Sequence, residues 1–389
     1  MKQYYFSLFI ILALGLAACN EEAKFLPDTS ASKLTIIPNE GINVTPVSID
    51  LLPNGNYLIV ANTEESIEGD VKSKIRVIVM QKDGVILQEK LYPSNDEESW
   101  VASETFLQES GEFIIGGNTS ILASSSTKSQ FLFSLSATGD SLQYQTNFGA
   151  VSGEFLAGQL VDAFVYSLTQ VSSNLINVSK INSNDLSLVA TKEIAVEGTP
   201  SASLLVKGDT LAFATNNQIN FTLFGSNEDL DEDARLSAVE DFDFTIVALT
   251  GISDASTALC FGLKDPNTSS SWFKAYASPR PQNPGVYWAT YNENEEAEDE
   301  IQNVKVLDKD VFICGSRSRL REPRNFYIIR TDQYGNQLMS NVFGSENSEN
   351  ILYDATLDGE EIITVGKVTS NRSESIVVCR LNGKGILTR

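Results

Sequence analysis

One strand-sized pattern recurs along this chain, and no other feature limits the fold as much. A turn carrying Gly or Asp leads into four or five apolar residues, which end at a small or polar residue. The copies read NGNYLIVAN, SGEFIIGGN, VDAFVYSLT, GDTLAFATN, STALCFGLK, KDVFICGSR and GEEIITVGK. Their apolar quartets begin at Tyr57, Phe113, Phe164, Leu211, Ala258, Val311 and Ile362, with successive spacings of 56, 51, 47, 47, 53 and 51 residues. Seven copies at a period near 51 mark a repeat architecture, in which each unit buries its apolar face against its neighbours.

A second pattern alternates with the first: a β-rich run, a tight turn and another run. It is clear in IRVIVMQKDGVILQE, FLFSLSATGDSLQYQ, FYIIRTDQYGNQLMS and IVVCRLNGKGILTR, and weaker between Gly139 and Gly335. Asp83-Gly84, Tyr334-Gly335-Asn336 and Lys384-Gly385 supply hairpin turn chemistry. Each repeat therefore holds four strands. The first ends before a short turn, the second is the quartet strand, a longer polar loop leads to the third, and a tight turn leads to the fourth. Four antiparallel strands per repeat of roughly 40–50 residues describe a propeller blade, and the mature chain shows no helical periodicity. The expected fold is all-β: a seven-bladed β-propeller with four antiparallel strands per blade. The last copy has little chain after Gly385 for a fourth strand, whereas KLTIIP at 33–38 is spare. Offset by one repeat, Lys33 falls on Glu89, inside a fourth strand, so the N-terminal strand is expected to close the ring by pairing into the last blade.

The stretches FYIIRTDQYGNQLMSNVFG and ENILYDATLDGEEIITVGK resemble bacterial seven-bladed propeller repeats of the SBBP type. The shared pattern is an apolar strand ending in Arg or Lys, Thr-Asp, Gly-Asn, an aromatic-Gly pair and the next quartet. The resemblance spans 33–389, is sharp in the first two and last two blades, and departs most around 219–244. It implies a fold and no particular activity.

The N-terminus reads as a targeting segment. Lys2 precedes an apolar run from Tyr4 to Ala18, shorter than the about 20 residues a membrane-spanning helix needs and of the size of a secretory signal core. The run ends Leu16-Ala17-Ala18-Cys19, which resembles a bacterial lipobox with Cys19 as the lipidated residue. Behind it, Glu21 and Glu22 are similar to the acidic export signal of surface lipoproteins in starch-utilisation-type systems, and Asn20 stands where an aspartate would signal inner-membrane retention. The expected organisation is a signal peptide at 1–18, the lipidated cysteine with a polar, turn-rich tether at 19–32, and a single propeller domain at 33–389. The expected location is the outer membrane, lipid-anchored and facing outward.

Composition narrows the function. A formal net charge of −23 repels nucleic acid and anionic head groups. The chain has no histidine, which removes the usual general base near neutral pH, excludes Ser-His and Cys-His triads and excludes the usual histidine-bearing catalytic zinc sites. Cys260, Cys314 and Cys379 lie in apolar runs and read as buried free thiols.

Against this acidic background, SRSRLREPRN gathers Arg317, Arg319, Arg321 and Arg324. Its place between quartet strand and third strand puts it in a loop on the crossover face, beside the acidic crossover NENEEAEDE at 292–300. Local charge pairing accounts for such a run; the functional alternative is a patch that recognises an acidic partner or surface glycan through two-point arginine contacts. Asp229, Asp231 and Asp233 open like a calcium loop, but the glycine and the terminal glutamate of that loop are missing, and a solvated turn explains them. Trp100, Trp272 and Trp288 read as packing between blades, with a sugar platform as the alternative. Acidic residues are so numerous that no pair stands out for glycosidase chemistry, and most are placed in loops. No catalytic residue, cofactor or metal is expected beyond the lipid on Cys19. The expected function is a non-enzymatic binding or scaffold subunit of an outer-membrane complex, a transporter or secretion machine, with a β-barrel protein as partner. The alternatives are a glycan-binding lipoprotein feeding a nutrient transporter and a histidine-free hydrolase or lyase.

Overall fold

The structure is a computed structural model that describes residues 34–67, 70–94, 98–121, 128–146, 152–196, 199–207, 210–215, 218–223, 235–238, 245–251, 259–264, 274–277, 287–290, 297–319, 322–332, 336–345, 347–371 and 373–388. Among these residues all regular structure is β. After the short β1 (Leu34–Pro38), the strands fall into antiparallel sheets taken in chain order. The first blade is β2 (Asn43–Leu51), β3 (Tyr57–Ile67), β4 (Asp70–Met80) and β5 (Ile86–Tyr92). The second is β6 (Glu98–Leu107), β7 (Phe113–Ile121), β8 (Ser129–Leu135) and β9 (Ser141–Thr146). The third is β10 (Glu154–Val161), β11 (Phe164–Ser172), β12 (Leu175–Asn182) and β13 (Leu188–Ala195). A fourth, shorter sheet holds β14 (Pro200–Lys207), β15 (Thr210–Thr215), β16 (Gln218–Leu223) and β17 (Arg235–Ala238). Two pairs follow, β18 (Thr245–Gly251) with β19 (Leu259–Lys264) and β20 (Lys274–Ala277) with β21 (Tyr287–Thr290). The penultimate blade is β22 (Ala297–Leu307), β23 (Asp310–Arg319), β24 (Asn325–Thr331) and β25 (Gln337–Phe343); the last is β26 (Glu349–Asp358), β27 (Glu361–Ser370) and β28 (Ser373–Leu381).

The expected four-stranded antiparallel blade is what the structure shows, and the protein is an all-β propeller. Five blades are seen in full, against the seven expected. The shortfall falls between 197 and 296, where β14–β17 are short and the copy at Ala258 is represented by the two pairs. The last blade has the order β1-β28-β27-β26: Leu34 lies opposite Cys379 and Pro38 opposite Ser375, antiparallel. The spare N-terminal strand thus occupies the fourth-strand position of the last blade.

Among the residues whose burial is described, quartet residues are buried because neighbouring sheets pack face to face. Leu58, Val60 and Val77 meet Trp100, Phe113 and Phe131 between the first and second blades. Ile37, Ile49 and Ile59 meet Ile363, Val365 and Ile376 between the first and last. Phe312, Cys314 and Ile328 meet Leu352, Ile362 and Cys379 between the penultimate and last. One expectation needs correction. In the first, third and last blades the second and third strands are not joined by long loops; β3 and β4 pair continuously from Tyr57–Met80 out to Ile67–Asp70, and two residues separate β11 from β12 and β27 from β28. The apolar quartet marks only the apolar half of the strand. Beyond it the strand turns polar, so TEESI carries no apolar run, yet Thr63 and its partner Lys74 are still buried and the backbone ladder continues.

The first strand of every unit is irregular. In β2, β6, β10, β22 and β26 one residue bulges out of register, namely Val47, Ser103, Leu156, Gln302 and Tyr353, and β14 and β18 also shift. A bulge bends the strand and resets which side chains face which way. It also explains the small residue that ends the quartets. Gly117 and Gly315 lie against the bulges, and a Cβ there would come within 2.1 Å of the Val101 carbonyl oxygen and 1.9 Å of that of Glu300.

Candidate functional site

The bulged first strands surround a cavity of about 960 Å³, lined by β2, β6, β10, β14, β22 and β26. It runs toward the ends of the strands that face the crossovers, where Ser120, Lys128 and Glu154 form part of its wall. Most polar side chains of these strands are used to stitch one blade to the next. Just past the bulge of β26, Asp354 accepts from the backbone N–H of Ile49, 3.0 Å away, and from Asn303 Nδ2, 2.9 Å away. Thr105 donates to Ser48 at 2.7 Å, and Gln159 accepts from the Val206 N–H. One strand outward, Asn62 donates to the Ala102 carbonyl and accepts from the Ala102 N–H at 2.9 and 2.8 Å; Asn118 grips Phe155 in the same way at 3.0 and 2.7 Å. An asparagine amide of this kind imitates one step of a β-ladder across the gap between blades.

Two charged features stand in the cavity. Lys305 Nζ lies 3.1 Å from Asp50 Oδ1 and 3.0 Å from Asp354 Oδ2, tying β22, β2 and β26 together. Burial alone would lower the Lys305 pKa, but the two carboxylates hold it above its usual range. Glu104, just past the bulge of β6, has a single hydrogen bond, from the Gly158 N–H. Burial pushes its pKa up to about 8, and that bond offsets the shift only in part. Among the described residues no cation pairs with it. These four residues were not singled out by the sequence, which placed acidic groups mostly in loops. Asp50, Glu104 and Asp354 instead sit in β-strands. The available signal was a charge inside an apolar first strand, as in NVKVL and ILYDATL.

The arginine run is placed differently from the sequence expectation. Arg317 and Arg319 belong to β23, Arg321 lies outside the described residues, and Arg324 precedes β24. Part of the acidic crossover, from Ala297 on, is strand β22. The hairpin extends because Asp299 lies directly opposite Arg317, a favourable cross-strand pair. Arg317 Nε is 2.8 Å and Nη2 3.3 Å from the two Asp299 oxygens, and the guanidinium lies 4.6 Å from the Tyr327 ring centre. Arg324 Nη1 is 2.6 Å from Glu300 Oε2. Burial pushes the Asp299 carboxyl up, and Arg317 pulls it part of the way back.

Trp100 is 7% exposed and packs between the first two blades, stacked on Tyr144 with ring centres 4.6 Å apart. Trp288 lies in β21, and Trp272, Asp229, Asp231, Asp233 and Cys19 lie outside the described residues. Cys314 and Cys379 are buried free thiols, as expected; burial raises both, Cys379 to about 12, so neither is a ready nucleophile. Cys260 lies in β19. Among the described residues no group of three metal-ligating side chains converges and no helix is long and apolar enough to cross a membrane.

No family model matches the chain, and no curated protein matches its sequence. Solved structures do resemble its fold. Puromycin hydrolase aligns at 10% identity with a TM-score of 0.54, over 89% of this chain and 54% of that one. The β-propeller domain of the Trilobed protease from Pyrococcus furiosus, described as having an open velcro topology, aligns at 8% identity with a TM-score of 0.53, over 86% and 95%. PorZ, an essential bacterial surface component of the type-IX secretion system of Porphyromonas gingivalis, aligns at 11% identity with a TM-score of 0.50, over 88% of this chain and 39% of PorZ. At these identities the likeness establishes the propeller fold alone.

Proposed function

We propose that this protein is an outward-facing outer-membrane lipoprotein, anchored through Cys19, whose single seven-bladed propeller serves as a non-enzymatic scaffold subunit of an outer-membrane protein complex. The observation that carries the scaffold reading is the outer rim. The outermost strands present large apolar side chains to solvent in blade after blade: Ile36 (58% exposed), Leu87, Leu142, Val189 and Leu338 (55%). The inter-blade cores are filled without them, and their recurrence on successive outer strands supports a rim that packs against protein. The seven register-shifted first strands support the blade count. The pairing of β1 with β28 and the core shared by first and last blades support closure. PorZ, a bacterial surface component of a secretion system, shares the fold. Within the scaffold, the arginine run Arg317, Arg319, Arg321 and Arg324 reads an acidic partner, with Arg317 and Arg324 oriented by Asp299 and Glu300.

The test is purification of the tagged full-length protein in mild detergent with identification of its companions. A membrane β-barrel recovered in stoichiometric amount is the expected result, and recovery of the chain alone overturns the scaffold reading. Cys19→Ser should shift the protein from membrane to soluble fraction. Replacing the four arginines with glutamine should reduce recovery of the partner; an unchanged companion profile removes them from the interface.

A further inference from the structure

The central cavity holds one carboxylate, Glu104, that no cation meets among the described residues. Three acidic and two basic side chains line the described wall: Glu104, Glu154 and Asp354 against Lys128 and Lys305. Lys128 pairs with Glu154 at the exposed rim. Lys305 is shared between Asp354 and Asp50, which adds a further negative charge behind the wall. Glu104 alone among them faces no cation within the described residues, and its one partner is the Gly158 N–H. Tyr353, the bulged residue of β26, is the remaining titratable lining group, and burial raises its hydroxyl to about 12. Several other polar side chains of the first strands are committed to neighbouring blades, as with Gln159 and Asn303. Glu104 is therefore a partly buried acceptor, in a space of about 960 Å³, at the upper end of the several hundred to about 1,000 Å³ of ligand pockets.

We propose that the cavity binds a cationic nitrogen group, a guanidinium or a primary ammonium, on the free oxygen of Glu104, entering from the crossover end. A charge-assisted hydrogen bond is the interaction a partly buried carboxylate without a cation lacks. Two sources present the same chemistry: a free organic amine, and an Arg or Lys side chain on a partner's loop. The raised proton affinity of Glu104 gives a signature, because a bound cation favours the ionised carboxylate and so displaces its proton. The inference stands apart from the scaffold reading, since co-purification can fail while the cavity still binds, and the reverse.

The experiment is calorimetric titration of the detergent-solubilised full-length protein with agmatine, with acetyl-Gly-Arg-Gly-amide, and with the same peptide carrying neutral citrulline for arginine. Saturable one-to-one binding of a guanidinium probe is expected, tightening about tenfold or more from about pH 6.5 to 8.5. Near pH 7, heats measured in buffers of different ionisation enthalpy should report release of about one proton. The citrulline peptide should bind at least about tenfold more weakly. Glu104→Gln keeps an acceptor for the Gly158 N–H and should lose the guanidinium affinity by a similar factor. Should that variant not fold, proton release by the unsubstituted protein decides the matter. Equal affinity for agmatine and the arginine peptide identifies a free amine as the natural source; a markedly tighter peptide identifies a partner's basic loop. Citrulline binding as well as arginine, absence of proton release, or no saturation by about 10 mM overturns the proposal.

Discussion

At the scale of single residues, the cavity wall contains two kinds of charge. Lys305 is compensated on both sides, so its removal strands two carboxylates in the interior. Lys305→Met should therefore cost about 3–5 kcal/mol in urea unfolding, while adding Asp50→Asn and Asp354→Asn should recover much of the loss. Glu104 is uncompensated and has the opposite linkage. Its carboxyl releases a proton near the ordinary 4.5 in the unfolded chain but at about 8 in the folded one. Across that window the folded state binds more protons, so its contribution to stability is full below the lower value and is lost as pH rises through the upper one. Urea unfolding at about pH 5 and pH 8 should show a smaller fall in stability for Glu104→Gln than for the unsubstituted chain; an identical fall would mean Glu104 ionises normally. Neither residue could be picked from the sequence. A lysine or glutamate in a strand is ordinary, and only the arrangement of first strands decides that Lys305 meets two carboxylates and Glu104 meets none.

At the scale of elements, the quartet strands were legible because burial on both faces gives an unbroken apolar run, and the hairpin turns because glycine marks them: Gly55, Gly84, Gly111, Gly139, Gly359 and Gly385 all have positive φ. The small or polar residue that ends each quartet was visible as a stop, but its cause was not. In the structure it is two causes in adjacent positions. The small residue makes room for the bulge opposite, and the next residue reaches the neighbouring blade. Gly315→Ala forces a methyl group against the Glu300 carbonyl and should cost about 1–3 kcal/mol, read as a lower thermal midpoint. Asn118→Ala removes both bonds to Phe155 and leaves its N–H and carbonyl unpaired, which should cost about 1–3 kcal/mol; Asn118→Asp, which keeps the acceptor, should fall between. The long β3–β4 ladder was not legible, because the side chains of its outer half are polar whether buried, as Thr63 and Lys74 are, or exposed.

At the scale of the whole molecule, the first and last blades meet through side chains about 300 positions apart in the chain. Tyr57 donates to Asp358 at 2.7 Å, Lys82 pairs with the same carboxylate at 2.6 Å, and Arg380 lies 5.2 Å from the Tyr57 ring centre. Ile37 on β1 is 1% exposed in the same seam. Ile37→Ala should therefore lower stability by about 2–5 kcal/mol, as much as a core residue of any central strand. A chain lacking the residues through Pro38 would expose the edge of β28 and should self-associate in size-exclusion chromatography.

The sequence by itself determined the all-β class, the four-stranded unit, its period and the donation of the first strand to the last blade, because each follows from local burial and turn chemistry repeated along the chain. The tertiary structure alone decided where the bulges fall, that Arg317 and Arg324 are met by Asp299 and Glu300, and that Glu104 stands in the cavity with no cation among the described residues. Those outcomes depend on distances between strands far apart in the chain, and a one-dimensional pattern contains no information on which side chains the packing of sheets will bring within a few ångströms.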